Sequence, residues 1–188
     1  MAMAMVTVMA TAISRTTVKL KNSAEKMSQV FYNTVQSQLE FLGFSVVAKD
    51  FGRPWGGFLV IDEAQAQEFA NRFFEGLDVQ GLRIDGKLSP KILMVNPKSR
   101  LSWQYHHRRA EIWQIYRGTV GIIRSDDDEQ GPVEHFNEGD QVRLRQGERH
   151  RLIGLEDFGV VAEIWQHTEE VPSDEEDIVR VQDDFKRE

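Results

Sequence analysis

The sequence predicts a mainly β domain, an antiparallel sandwich or barrel, carrying an α-helical extension at its N-terminus. Three observations lead there. From Lys91 onward, short β-branched and aromatic runs alternate with Gly, Pro, Asn and Asp turns: Ile92–Val95, Leu101–His106, Glu111–Tyr116, Val120–Ile123, Gln141–Leu144, His150–Leu152 and Val160–Gln166. Strands at that spacing belong to a sandwich or barrel. Ahead of them, Met27, Val30, Phe31, Val35, Leu39 and Leu42 recur at helical spacing. Finally, 188 residues with 40% hydrophobic and 28% charged content suit one globular domain with its own core.

Taken in order, residues 1–21 are small, apolar and β-branched, and no acidic residue precedes Glu25. A secretory signal would need Lys or Arg ahead of the apolar stretch, and none is there. An unstructured or wrongly assigned start is the expectation, since Met3, Met5, Met9 and Met27 all offer later initiation points. Residues 22–52 form the helical unit, with Asn22 and Glu25 as a capping box and Gly43 closing the helix. The barrel is expected over 53–188. Arg53-Pro54-Trp55-Gly56-Gly57-Phe58 reads as a turn feeding a strand, Phe58–Ile61. A short helical insertion follows near 62–75, capped by Asp62 and Gln65. The acidic stretch Ser173–Glu176 reads as a solvated loop.

Charge and composition exclude several functions. The formal net charge is −7, from 23 Lys+Arg against 30 Asp+Glu, which opposes general nucleic-acid binding. With no cysteine, disulfides, thiolate metal sites and cysteine nucleophiles are excluded. No apolar run approaches the ~20 residues of a membrane span, so a soluble, cytoplasmic protein without membrane partners is expected.

Chemistry concentrates around three of the five histidines. Residues two apart on a strand share a face, so Gln104 and His106 point one way and Trp103, Tyr105 and His107 the other. After the turn Arg108-Arg109-Ala110, Glu111 opens the next strand, with Trp113 and Ile115 on its face. His150 follows the turn Arg145-Gln146-Gly147-Glu148. Gln104, His106, Glu111 and His150 therefore converge as a mixed N/O set for one divalent ion, Zn, Mn, Fe or Co. His135 and His167 read as packed or surface residues.

The pattern Gln104-x-His106-x4-Glu111-x6-Gly118, then Gly139-x7-Gly147-x2-His150, resembles the two cupin motifs. The string from Leu101 to Trp113 is similar to L-S-x-Q-x-H-H-H-R-A-E-H-W of the type II mannose-6-phosphate isomerase domain. Arg53-Pro54-Trp55-Gly56, His150-Arg151-Leu152 and Asp177-Ile178-Val179-Arg180 agree with it as well. The resemblance covers about residues 53–185, with an insertion between Ile61 and Lys91. It implies a single double-stranded β-helix (jelly-roll) barrel with the metal inside its mouth. Departures are Arg108 at a family histidine, Ile112 at another, Arg145 at a proline and Gly154 at an asparagine.

The expected function is a metal-dependent aldose–ketose isomerase of a sugar phosphate, of the mannose 6-phosphate/fructose 6-phosphate type, working through an enediolate. Arg109 matches the family's motif arginine and is assigned to the phosphate, with Arg100, Arg108 and Arg151 as further anion contacts. Such arginines are also common on solvated strand edges. Trp113 is the candidate sugar-stacking ring, and Glu163 or His107 the proton-transfer group. Glu163 could equally be a structural carboxylate. The alternatives are a non-catalytic sugar- or sugar-phosphate-binding cupin and a structural barrel. A homodimer is expected.

Overall fold

The computed structural model describes residues 23–82 and 87–185. The readings of residues 1–21 and of the Asn22 cap lie outside them. The chain opens with α1 (23–41), then β1 (Val46–Arg53), β2 (Gly56–Ile61) and, after a 3-10 turn at Glu63–Gln65, α2 (Ala66–Phe73). Nine further strands follow: β3 (Lys91–Val95), β4 (Trp103–His106), β5 (Arg109–Arg117), β6 (Thr119–Ser125), β7 (Glu134–Asn137), β8 (Gln141–Leu144), β9 (Arg149–Gly154), β10 (Gly159–His167) and β11 (Ile178–Gln182). They build two antiparallel sheets, β1-β2-β3-β10-β5-β8 and β11-β4-β9-β6-β7. The mainly β barrel with a helical extension is borne out.

Period-two alternation divides the six-stranded sheet into two unlike faces. Ile92, Met94, Ile112, Val160, Ala162 and Ile164 face outward and join Tyr32, Val35 and Leu39 of α1 and Phe69, Ala70 and Phe73 of α2 in one core. Leu93, Val95, Trp113, Ile115 and Val161 face inward, meeting Val120, Ile122 and Leu152 of the second sheet in another. Each such side chain contributes about 1.5–3 kcal/mol on full burial.

Both helices start and stop for local reasons. Gly43, at φ 91°, ends α1, with Phe44 N–H returning to the Leu39 carbonyl and Gly43 N–H to that of Glu40, the double bond of a Schellman motif. Asp62 caps the 3-10 turn through Ala64 N–H. Its expected partner Gln65 instead accepts from Ser45 N–H and donates to the Gly43 carbonyl, tying the two helices together. The buried stripe of α1 is Tyr32, Val35 and Leu39, while Met27, Val30 and Leu42 stay exposed. The helix sits rotated from the expected face because Tyr32 donates its hydroxyl to Asn96, just after β3.

Two expectations for the loops change. Residues 46–53 are a strand on the sheet edge rather than part of the helical unit. The Ser173–Glu176 stretch is exposed at Asp174, Glu175 and Glu176, as expected, but Ser173 is buried and the stretch runs into a 3-10 turn, Glu175–Asp177, that buries Asp177. The turn before β2 depends on Gly56, where a Cβ would stand 1.9 Å from the Met94 carbonyl oxygen.

Candidate metal centre

Strand register stacks the barrel's inward side chains in layers. Across β5 and β10, Arg109 pairs with His167, Glu111 with Trp165, Trp113 with Glu163, and Ile115 with Val161. Lys91 of β3 pairs with Glu163. On the facing sheet, Gln104 pairs with His150 of β9 and with Arg180 of β11. One end of the barrel is therefore hydrocarbon and the other polar. The polar end encloses a cavity of about 80 Å³, with Lys91, Gln104, Arg109, Glu111, Trp113 and Glu163 among its walls.

His106, Glu111 and His150 are 2–3% exposed, and their donor atoms lie within 4.8 Å of one another. His106 Nε2 is 3.1 Å from one Glu111 oxygen, and His150 Nε2 is 3.4 Å from the other. The other ring nitrogens set the tautomers. His106 Nδ1 lies 3.1 Å from the Asp177 carbonyl and His150 Nδ1 2.9 Å from that of Glu148. A carbonyl only accepts, so each Nδ1 carries the proton and each Nε2 of a neutral ring turns a lone pair on the carboxylate.

Burial drives the His106 pKa down, against the pull of Glu111. Burial alone would raise that of Glu111, yet its close partners His106 and Arg109 hold it well below the carboxylate range. Arg109 satisfies half of the cluster, donating to Glu111 at 2.8 Å and lying 3.2 Å from His106 Nε2. The other half, Glu111 Oε2 and His150 Nε2, is buried with no hydrogen-bond partner. Two converging acceptors with fixed tautomers call for a cation between them, and carboxylate with imidazole is the donor chemistry of first-row divalent metals. The residues fit a metal ion.

Gln104 belongs to the same cluster. Its amide nitrogen lies 3.5 Å from His106 Nε2, while its oxygen accepts the Ser102 hydroxyl at 2.6 Å. Ser102 can donate or accept, so either end of the amide can face the cluster. Glu163 stands one layer deeper, 5% exposed, accepting the Trp113 indole N–H at 3.0 Å. Burial and the negative charge of Glu111 push its pKa up to about 7, against Lys91 and Arg109.

The other expected contacts go elsewhere. His107 is exposed, edge-on to Tyr105, and shares an outer depression with Arg108 and Glu169. Arg108 pairs with Asp174 and Asp177, Arg100 with Asp184, and the buried Arg151 donates to the Gln182 carbonyl. None of the four lines the cavity. His107 and Arg151 fall on the opposite strand face from His106 and His150, and Arg108 lies in the turn between strands. Arg109 does line it, but its donors are engaged by Glu111, by Ser173 Oγ at 2.8 Å and by the Asp174 carbonyl at 2.9 Å, with Trp165 stacked 3.6 Å away. Sequence reasoning gave no site role to Lys91, Ser173 or Asp177, although Lys91 alternates with Leu93 and Val95 and Asp177 opens the matching Asp177–Arg180 string.

This fold and this site define a cupin-type barrel with a His/Glu/His centre. The family described as mannose-6-phosphate isomerase C-terminal matches residues 76–183, more than half of the chain, and the chain belongs to that family. No curated protein matches it. Among solved structures it is similar to KdgF from a Halomonas species (11% identity, TM-score 0.46, 69% of this chain and 89% of that one). It is also similar to hazelnut (Corylus avellana) vicilin (16%, 0.47, 69% and 33%) and to a Bacillus subtilis oxalate decarboxylase variant (15%, 0.47, 68% and 29%). The chain thus spans about a third of the length of the latter two. Among the described residues, no helix is long and apolar enough to cross a membrane.

Proposed function

We propose that the protein is a divalent-metal-dependent aldose–ketose isomerase of a sugar phosphate, of the mannose 6-phosphate/fructose 6-phosphate type. The carrying observation is the juxtaposition of the His106/Glu111/His150 cluster with Glu163, a buried carboxyl held near neutrality that lines the same cavity as Glu111. His106, His150 and Glu111, with Gln104 as a fourth donor, would hold the ion, whose bound form supplies Lewis acidity toward carbonyl and hydroxyl oxygens. Glu163 takes the proton from the carbon beside the carbonyl and returns it one carbon along the enediolate. A pKa near the working pH suits both halves of that transfer. Trp113 fixes the Glu163 carboxyl through its indole N–H. Arg109 is spent on Glu111, Ser173 and Asp174, so it positions the cluster rather than gripping substrate.

Incubating metal-loaded protein with fructose 6-phosphate in D₂O, followed by NMR, tests this reading. Product, or deuterium at carbon 1 or 2, is expected. A chelator and the substitution His106→Ala should each abolish both the exchange and the metal content. Exchange that persists without metal would overturn the proposal. A second reading, sugar-phosphate binding without catalysis, is favoured by Arg109, which already satisfies half of the cluster; it predicts ligand binding with no exchange.

A further inference from the structure

An isomerase of this kind must hold a phosphate, and Arg109, the arginine expected to do so, is turned to Glu111, Ser173, Asp174 and His106. The cavity of about 80 Å³ is also too small for a whole sugar phosphate, since ligand sites commonly run to several hundred Å³. Next to it lies an outer basin of about 490 Å³. Arg53, Phe58, Glu175, Ile178 and Arg180 line both spaces. The two are one depression, pinched where these side chains meet.

At that pinch stands Lys91. The residue is 7% exposed, and its ammonium lies 3.7 Å from the Trp165 ring centroid and 5.8 Å from that of Phe58. A cation so enclosed needs an anion. Glu163 lies opposite it across the strand pair, but the ammonium's ion-pair partner is Glu175, whose side chain is 60% exposed and reaches in from the 3-10 turn at the surface. A solvated carboxylate is thus set upon a buried ammonium. Arg53, over Phe58 at 5.4 Å and paired with Asp50 at 2.8 Å, and Arg180, opposite Gln104 across the strand pair, flank the same spot.

The geometry points to an anion subsite formed by Arg53, Lys91 and Arg180, which takes the phosphate group of the substrate, with Glu175 as the chain's own placeholder for it. The phosphate assignment rests on the isomerase reading; the anion site itself does not. Two planar guanidinium groups and an ammonium match a phosphate's charge and its oxygens. An incoming phosphate displaces Glu175 toward solvent, where a carboxylate is readily hydrated, and its sugar end then reaches toward Glu163 and the metal cluster. A tethered competitor weakens the apparent affinity of a free anion, because only the fraction with Glu175 withdrawn can bind.

Titrating the full chain with inorganic phosphate, by calorimetry or ³¹P NMR, tests the site without turnover. Phosphate should bind the parent protein, about tenfold more tightly after Glu175→Gln and at least about tenfold more weakly after Arg180→Gln or Lys91→Met. The control Arg124→Gln, at a half-buried arginine paired with Glu134 that lines neither space, should bind like the parent. Lys91 is buried and its variant can fail to fold, so Arg180→Gln, checked by thermal melting, carries the decision. Phosphate that binds equally to the parent and to Arg180→Gln, or to neither the parent nor Glu175→Gln, overturns the subsite. Phosphate binding as described without deuterium exchange retains the subsite and sinks the isomerase reading. Exchange at an unchanged KM in Arg180→Gln does the reverse.

Discussion

The two faces of the six-stranded sheet are made by alternate residues of the same strands and do opposite work. On the outer face of β10, Val160, Ala162 and Ile164 lie under the helices with no polar atom to satisfy. One residue along, the inner face carries Glu163 and then His167, each buried at a cost that hydrocarbon would not incur. The outer face is hydrocarbon along its length, whereas the inner face is hydrocarbon at one end and polar at the other, and a slip of one residue in register would exchange the two faces. The buried polar groups of the inner face cost fold stability that hydrocarbon in their place would not.

Glu163→Gln breaks the comparison most strongly. It keeps the shape and the Trp113 contact but removes proton transfer, so exchange should fall by about 10²–10⁴-fold while metal content holds. The same change should stabilise the chelated protein at pH 8. A carboxyl raised to about 7 in the fold binds a proton more tightly folded than unfolded, so its contribution is present below pH ~4.5 and is lost as pH rises through 7. Denaturant melts at pH 5 and pH 8 check the sign; a variant equally active, or less stable than the parent at pH 8, contradicts it.

An outer-face counterpart is Ile164→Ala. It should cost about 2–4 kcal/mol by loss of transfer energy and creation of a cavity, read from denaturant midpoints, yet leave metal affinity unchanged. Weakened metal binding in a folded Ile164→Ala protein would show that the two faces are coupled.

The smallest effect concerns His167. Its Nδ1 accepts Ser173 N–H at 2.9 Å and its Nε2 is buried without a partner. Burial, with Lys87, Arg109 and Arg108 nearby, lowers its pKa to about 4. A histidine depressed in this way favours folding above pH ~6.5, and that share disappears as pH falls toward 4. His167→Gln should flatten the stability profile in that window by about 1 kcal/mol or more, while the loss below pH 4, where the lowered carboxylates Asp174 and Asp177 are protonated, remains. An unchanged slope between pH 6.5 and 4 would place the acid sensitivity elsewhere.

What could be read from the sequence follows the same division. The strands predicted correctly are mostly interior ones, where burial on both faces enforces near-continuous apolar runs, as in β3 and β10. The three missed, β1, β7 and β11, are all sheet edges, where Lys49, Asp50, Glu134 and Arg180 interrupt the pattern as edge strands tolerate. The cluster of Gln104, His106, Glu111 and His150 was legible because strand periodicity alone converges it. The contacts of Asp177 and Ser173 were not, since their partners His106 and Arg109 lie 71 and 64 residues away in the chain, and the Asp177–Arg180 string, though it matched the family, does not encode them. His107 and the three arginines outside the cavity were overread because nearness to a motif says nothing about which face a side chain takes.

The bond from His106 to the Asp177 carbonyl bears on how the protein is made. The ring that begins the cluster is oriented by backbone synthesised 71 residues later, and β10, late in the chain, is the strand that joins β3 to β5. During translation β3, β4 and β5 therefore emerge with neither sheet complete, and long-range closure of this kind slows folding. A metal ion supplied to the nascent chain would meet a histidine whose tautomer is not yet set. Metal loading should accordingly wait for the Asp177 segment to be made and docked rather than accompany the emergence of β4.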